Sequence, residues 1–79
     1  MKIENLIAMA NQIGSFYESM PDRKIAESDI AGHIKKFWEP RMRRALLAHV
    51  DACIASNEPA GFTPIVDEAI QLNRALLEG

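Results

Sequence analysis

The stretch "KKFWEPRMRRALLAHV" (Lys35–Val50) places the chain's only tryptophan two residues before a proline and three arginines just after it. Pro40 lacks an N–H donor and its ring collides with the carbonyl four residues back, so a helix arriving here ends or kinks. The same ring, with φ already fixed near the helical value, suits the first position of a new helix. The sequence therefore predicts a second helix running to about Trp38, a corner, and a third helix over about Pro40–Ala55 with Glu39 as a weak cap. In that third helix Met42, Ala45, Leu46, His49, Val50 and Cys53 form the principal apolar stripe, and Leu47 and Ile54 extend it sideways.

Upstream, Ile30, Ile34, Phe37 and Trp38 form the apolar side of the second helix, which starts somewhere between Asp22 and Ser28. Before it, a first helix over about Lys2–Ser19 is stopped by "MPD" (Met20–Asp22). Ile3, Leu6, Ile7, Ala10, Ile13, Tyr17 and Met20 share its face, and Met9 and Phe16 widen that face to about half the circumference. Gly14 lies on it. A helical glycine costs roughly 1 kcal/mol relative to alanine, so its use is to let another helix approach closely.

Downstream, "SNEPAG" (Ser56–Gly61) reads as a loop, after which Thr63 caps a fourth helix with Pro64 at its first position. Ile65, Ala69, Leu72 and Leu76 form one stripe there, beside Val66, Ile70 and Leu77. No run alternates with period two long enough to suggest a strand. The expected fold is all-α: a small bundle of about four helices with a proline-marked corner between the second and third, in one helical domain spanning residues 1–79. Apolar arcs this broad in so short a chain imply two packing surfaces, one internal and one presented outward.

A chain of 79 residues is near the size at which one core barely offsets the entropy of ordering it, so a partner or a well-packed helical core is required. Cys53 is the only cysteine and cannot form an internal disulfide. The run "LIAMA" (Leu6–Ala10) is far too short to cross a bilayer or to serve as a secretory core, which leads to the expectation of a cytoplasmic protein without membrane attachment. The formal charge of −2 argues against nucleic acid as the main partner. That charge is unevenly spread: His33–His49 holds five basic residues against Glu39 alone, a local +4 that leaves −6 elsewhere.

The residues that could carry chemistry are few. His49 and Cys53 share a helix face but sit within the apolar stripe, without an orienting group or further metal ligands, and His33 stands alone on a helix side. Phosphate-binding glycine loops, paired carboxylates and serine-nucleophile turns have no counterpart in the sequence, so neither catalytic nor metal-ligating residues are expected. The basic cluster is different. Cations in the first turn of a helix are disfavoured by about 0.3–1 kcal/mol each at low salt, yet Arg41, Arg43 and Arg44 stand there. Either they form an ordinary solvated face, or, with Lys35 and Lys36, they make a spot for carboxylates or phosphate. Trp38 is open in the same way, as a residue sealing the corner or as an interface anchor.

"LIAMANQIGSFYES" (Leu6–Ser19), followed by "IAGHIKKFWEPRMRRALLAHV" (Ile30–Val50), resembles the small delta subunit of soluble, NAD-dependent, molybdenum-containing formate dehydrogenases. "KFWEPRMR" (Lys36–Arg43) is the most specific piece, and "FTPIVDEAI" (Phe62–Ile70) fits the family's outline. The resemblance implies a non-catalytic accessory subunit that supports assembly or stability of the complex, or insertion of its molybdenum cofactor. It also implies that molybdopterin guanine dinucleotide, iron–sulfur clusters, FMN and NAD belong to partner subunits and not to this chain. By the same resemblance Lys36, Phe37, Trp38, Glu39, Pro40, Arg41, Met42, Arg43 and Arg44 are expected to meet the large catalytic subunit. Alternatives are a transient maturation chaperone of that subunit and a small helical nucleic-acid-binding module, and the same apolar surface could pair two copies in isolation.

Overall fold

The computed structural model describes Lys2–Gly79, and its elements are α1 (Ile3–Tyr17), α2 (Arg23–Phe37), α3 (Pro40–Ser56), α4 (Pro64–Leu72) and α5 (Arg74–Glu78). The fold is all-α. α1 closes with the Glu18 N–H on Gly14 O, before Pro21. Asp22 then starts α2: its carboxylate accepts from the N–H groups of Lys24 at 2.9 Å and Ile25 at 3.2 Å, satisfying two of the orphan donors of the first turn.

The corner forms where the sequence places it. Trp38 and Glu39 are extended, the latter as the residue before a proline prefers, and α3 begins at Pro40 without a side-chain cap from Glu39. α3 ends at Asn57, whose left-handed conformation (φ 56°) lets the Glu58 N–H reach back to Cys53 O at 2.9 Å. The following loop is tied to α1 by Asn11, which donates to Gly61 O and accepts from the Thr63 N–H, both at 3.0 Å.

Two expectations about the last helix are corrected. Thr63 precedes α4, but its hydroxyl makes no cap hydrogen bond and is buried without a partner. The helix is also not continuous: at Asn73 the backbone leaves helical geometry, and the Asn73 side-chain amide donates to Ala69 O at 2.9 Å. Leu77 is buried with Val66 and Ile70, the residues it is expected to join, whereas Leu72 and Leu76, expected on the stripe with Ile65 and Ala69, are exposed. Arg74 then fastens α5 to α3 through two 2.8 Å hydrogen bonds with Asp51.

One core unites the elements. Leu6 and Ala10 of α1, Ile30 and Ile34 of α2, Leu46 and Val50 of α3, Val66 and Ile70 of α4, and Leu77 of α5 are all buried together. Gly14 has the role expected of it: a Cβ there would stand 2.4 Å from Val66 Cγ2, so α1 and α4 meet at a distance only glycine permits. Phe37 departs from its expected place on the buried side of α2 and is 64% exposed.

Candidate functional site

The basic corner divides according to helical phase. Arg43 is 6% exposed and its guanidinium points inward. Nε donates to Leu77 O (3.2 Å), Nη1 to Lys35 O (3.1 Å) and Trp38 O (3.0 Å), and Nη2 to Gly79 O (2.7 Å). The expectation that Arg43 faces a partner as a free cation is thus corrected, and so is its conflict with the helix dipole. Its Cα lies in the first turn of α3, but its charge rests on carbonyls at the C-terminal ends of α2 and α5, where a cation is favoured. Lys35 joins it by donating to Gly79 O at 2.6 Å.

Trp38 also turns inward. At 5% exposure the indole is part of the core, as a residue sealing the corner would be. One edge of it still reaches a cavity. Lys36, Glu39, Pro40, Arg41 and Arg44 remain exposed, Met42 is half-buried, and Lys36, Arg41 and Arg44 have no acidic partner among the described residues. The nine expected contact residues are therefore contiguous in sequence but not in direction.

What the structure adds is an open groove of about 620 Å³ between α1, α2 and the start of α3. Trp38 and Met42 line it together with Ile13, Tyr17, Phe16 and Phe37. Phe16 is 75% exposed and Met9, at the same rim, 36%. The Phe37 ring leans on His33 with centroids 4.7 Å apart, and Lys36 Nζ stands 5.5 Å over its face, so a cation marks the groove's edge. Gln12, Tyr17 and His33 supply the polar side chains of the lining. The α1 contribution was missed as a site, although Met9 and Phe16 widening the apolar face of the first helix was its visible signal.

The remaining polar groups lead elsewhere. Cys53 Sγ lies 3.7 Å from His49 Nε2 and 3.9 Å from Nδ1, but Nε2 is also 2.8 Å from Ala60 O and must donate its proton there. That leaves Nδ1, 3.9 Å away, as the ring nitrogen able to accept from the thiol, and no group of three His, Cys, Asp or Glu among the described residues is placed to hold a metal ion. These residues do not fit a metal or cluster. Between α2 and α4, Arg23 bridges Glu27 at 3.2 Å and Glu68 at 3.3 Å. A hydrogen bond with Glu68 and burial raise the Glu27 carboxyl above its ordinary value, whereas the bond with Glu27, and Arg23 beside it, lower exposed Glu68. No helix among the described residues is long and apolar enough to cross a membrane.

The sequence model of the family described as NADH-dependent formate dehydrogenase delta subunit FdsD matches residues 5–70. The match takes in the whole groove lining and the corner. No curated protein and no solved structure matches the chain.

Proposed function

The chain belongs to the delta-subunit family of NADH-dependent formate dehydrogenases, and from that premise we propose that it is a non-catalytic accessory subunit, in the cytoplasm, that binds the large catalytic subunit and supports assembly of the complex. The single observation that carries this reading is the groove: two phenylalanines more than half exposed beside a tryptophan-floored cavity form an apolar surface that a monomer in water has no reason to keep. Lys36, Phe37, Glu39, Arg41, Met42 and Arg44 are the residues of the corner assigned to the contact. Trp38 and Arg43 act from beneath, the indole as the floor and the guanidinium as the brace of the corner. Electron transfer and its cofactors are assigned to the partner subunits.

The alternative of a transient maturation factor would use Lys36, Arg41, Arg43 and Arg44 to hold a phosphorylated cofactor. With four donors of Arg43 already directed at backbone carbonyls, three of those four cations remain, and the accessory-subunit reading is preferred. Co-purification of the tagged chain from its native host tests it. Formate dehydrogenase subunits should be retained in stoichiometric amount at moderate salt. Their absence would overturn the proposal, and a gene deletion that leaves a fully assembled enzyme depleted of molybdenum would move the assignment to maturation.

A further inference from the structure

The groove's chemistry specifies its occupant more closely than "a partner subunit". Resting on the accessory-subunit reading, we infer that it receives an amphipathic helix of the formate dehydrogenase complex, with apolar anchors on one face and acidic side chains alongside them.

The helical form follows from hydrogen bonding. The α1 and α2 walls are helical with their peptide groups paired internally, and the start of α3 adds only the N–H groups of a first turn, so no sheet edge is offered to an incoming strand. An extended segment laid on this lining would have its own N–H and C=O groups desolvated against carbon, with only Gln12, Tyr17 and His33 to meet them. A helix brings its backbone already satisfied and inserts side chains alone.

The acidic flank follows from charge. Lys36 stands over the Phe37 ring at the rim, and Arg41 precedes the lining residue Met42 by one position. Both are exposed without an acid partner among the described residues, and with Arg44 they outnumber Glu39 three to one across the corner. A second copy of this chain is a poor occupant for the same reason. A two-fold pairing sets each patch against itself and would bring these cations together.

The test uses the complete chain reconstituted with the formate dehydrogenase subunits. p-Benzoylphenylalanine is placed at Phe37 or Phe16, or at Ile54 as a control on α3, and cross-linked peptides are mapped by mass spectrometry. Cross-links from positions 37 and 16 should converge on one helical segment of another subunit that carries Asp or Glu within a turn of the linked residue. The double substitution Lys36→Glu with Arg41→Glu should weaken association by about tenfold or more and flatten its dependence on salt, with an unchanged circular dichroism spectrum and melting temperature. Cross-links to a second copy of the chain, cross-links to a segment without acids, or undiminished association of the double variant would each overturn the inference while leaving the subunit reading intact. A wild-type chain that binds no formate dehydrogenase subunit, or binds duplex DNA instead, would overturn that reading and the inference with it.

Discussion

The α2–α4–α5 side of the molecule and the groove side use the same residue types to opposite ends. On the first, Arg43 and Lys35 are saturated by carbonyls, Glu27 is buried against Arg23 and Glu68, and Gly14 lets α1 close on Val66. On the second, Lys36 and Arg41 have no acid partner among the described residues, and Phe16 and Phe37 stand in solvent. Arg41 and Arg43 are two residues apart, yet one holds the fold together and the other is left for something else. A rotation of about 200° along a helix separates them. Substitutions on the closed side should therefore change stability, in either direction, and those on the open side should cost association alone.

The comparison is broken most sharply at Arg43. Arg43→Ala removes the donors of four hydrogen bonds, at least two of them buried, and frees α5 from the corner. A loss of about 3 kcal/mol is expected, visible in urea unfolding of the isolated chain. Arg43→Lys should recover little, because one ammonium cannot reproduce a fork spread over both helix ends. If Arg43→Ala melts like the wild type, the corner is not braced from inside.

Gly14 comes next. Gly14→Ala gains roughly 1 kcal/mol of helix propensity but drives a methyl to 2.4 Å from the stiff, fully buried Val66, and overpacking of this kind costs about 1–3 kcal/mol. A net destabilisation is expected, relieved in part by adding Val66→Ala. Thermal unfolding of the single and double variants measures the coupling, and strict additivity would show that α1 and α4 do not meet there.

Glu27 sharpens the closed side through pH. Its carboxyl is raised in the folded chain, so the folded state binds more protons than the unfolded one between the ordinary value of 4.5 and the raised value. Stability from this group is present below that window and is lost as pH rises through it. Glu68, shifted the opposite way, contributes stability that is present above 4.5 and is lost as pH falls below it. Glu27→Gln should raise the melting temperature at neutral pH, with the difference from wild type shrinking as pH falls towards 4.5. A variant less stable than wild type at pH 7 would mean that the Arg23 bridge outweighs burial.

The smallest effect on folding belongs to the groove. Phe37→Ala changes a 64% exposed ring and should alter stability by no more than about 0.5 kcal/mol, while lowering recovery of the complex in a pull-down. Should it unfold the chain instead, Phe37 belongs to the core and the open side is not open.

Most of the architecture was legible because local rules act over a few residues. Pro40 and Pro64 each begin a helix, Pro21 follows the end of another, and the broad face of the first helix announced the outward surface on which Met9 and Phe16 now stand. The misplacements concern coverage rather than position. Thr63 holds the expected cap position but its hydroxyl makes no cap hydrogen bond, Phe37 lies in the expected helix but is exposed, and Leu72 and Leu76 are exposed on the stripe that Ile65 and Ala69 begin. An apolar period marks a face, and only neighbours from elsewhere in the chain decide how much of that face is covered.

The sequence alone determined that this chain is helical, where it turns, and which family it belongs to, since those follow from short-range sterics, periodicity and a contiguous motif. It could not determine which cations are spent. The acceptors that hold Arg43 include Leu77 O and Gly79 O, 34 and 36 positions away, and only packing brought those carbonyls to the helix start. Burial of a charge is settled by partners distant along the chain, so the division between brace and docking surface is a property of the tertiary structure.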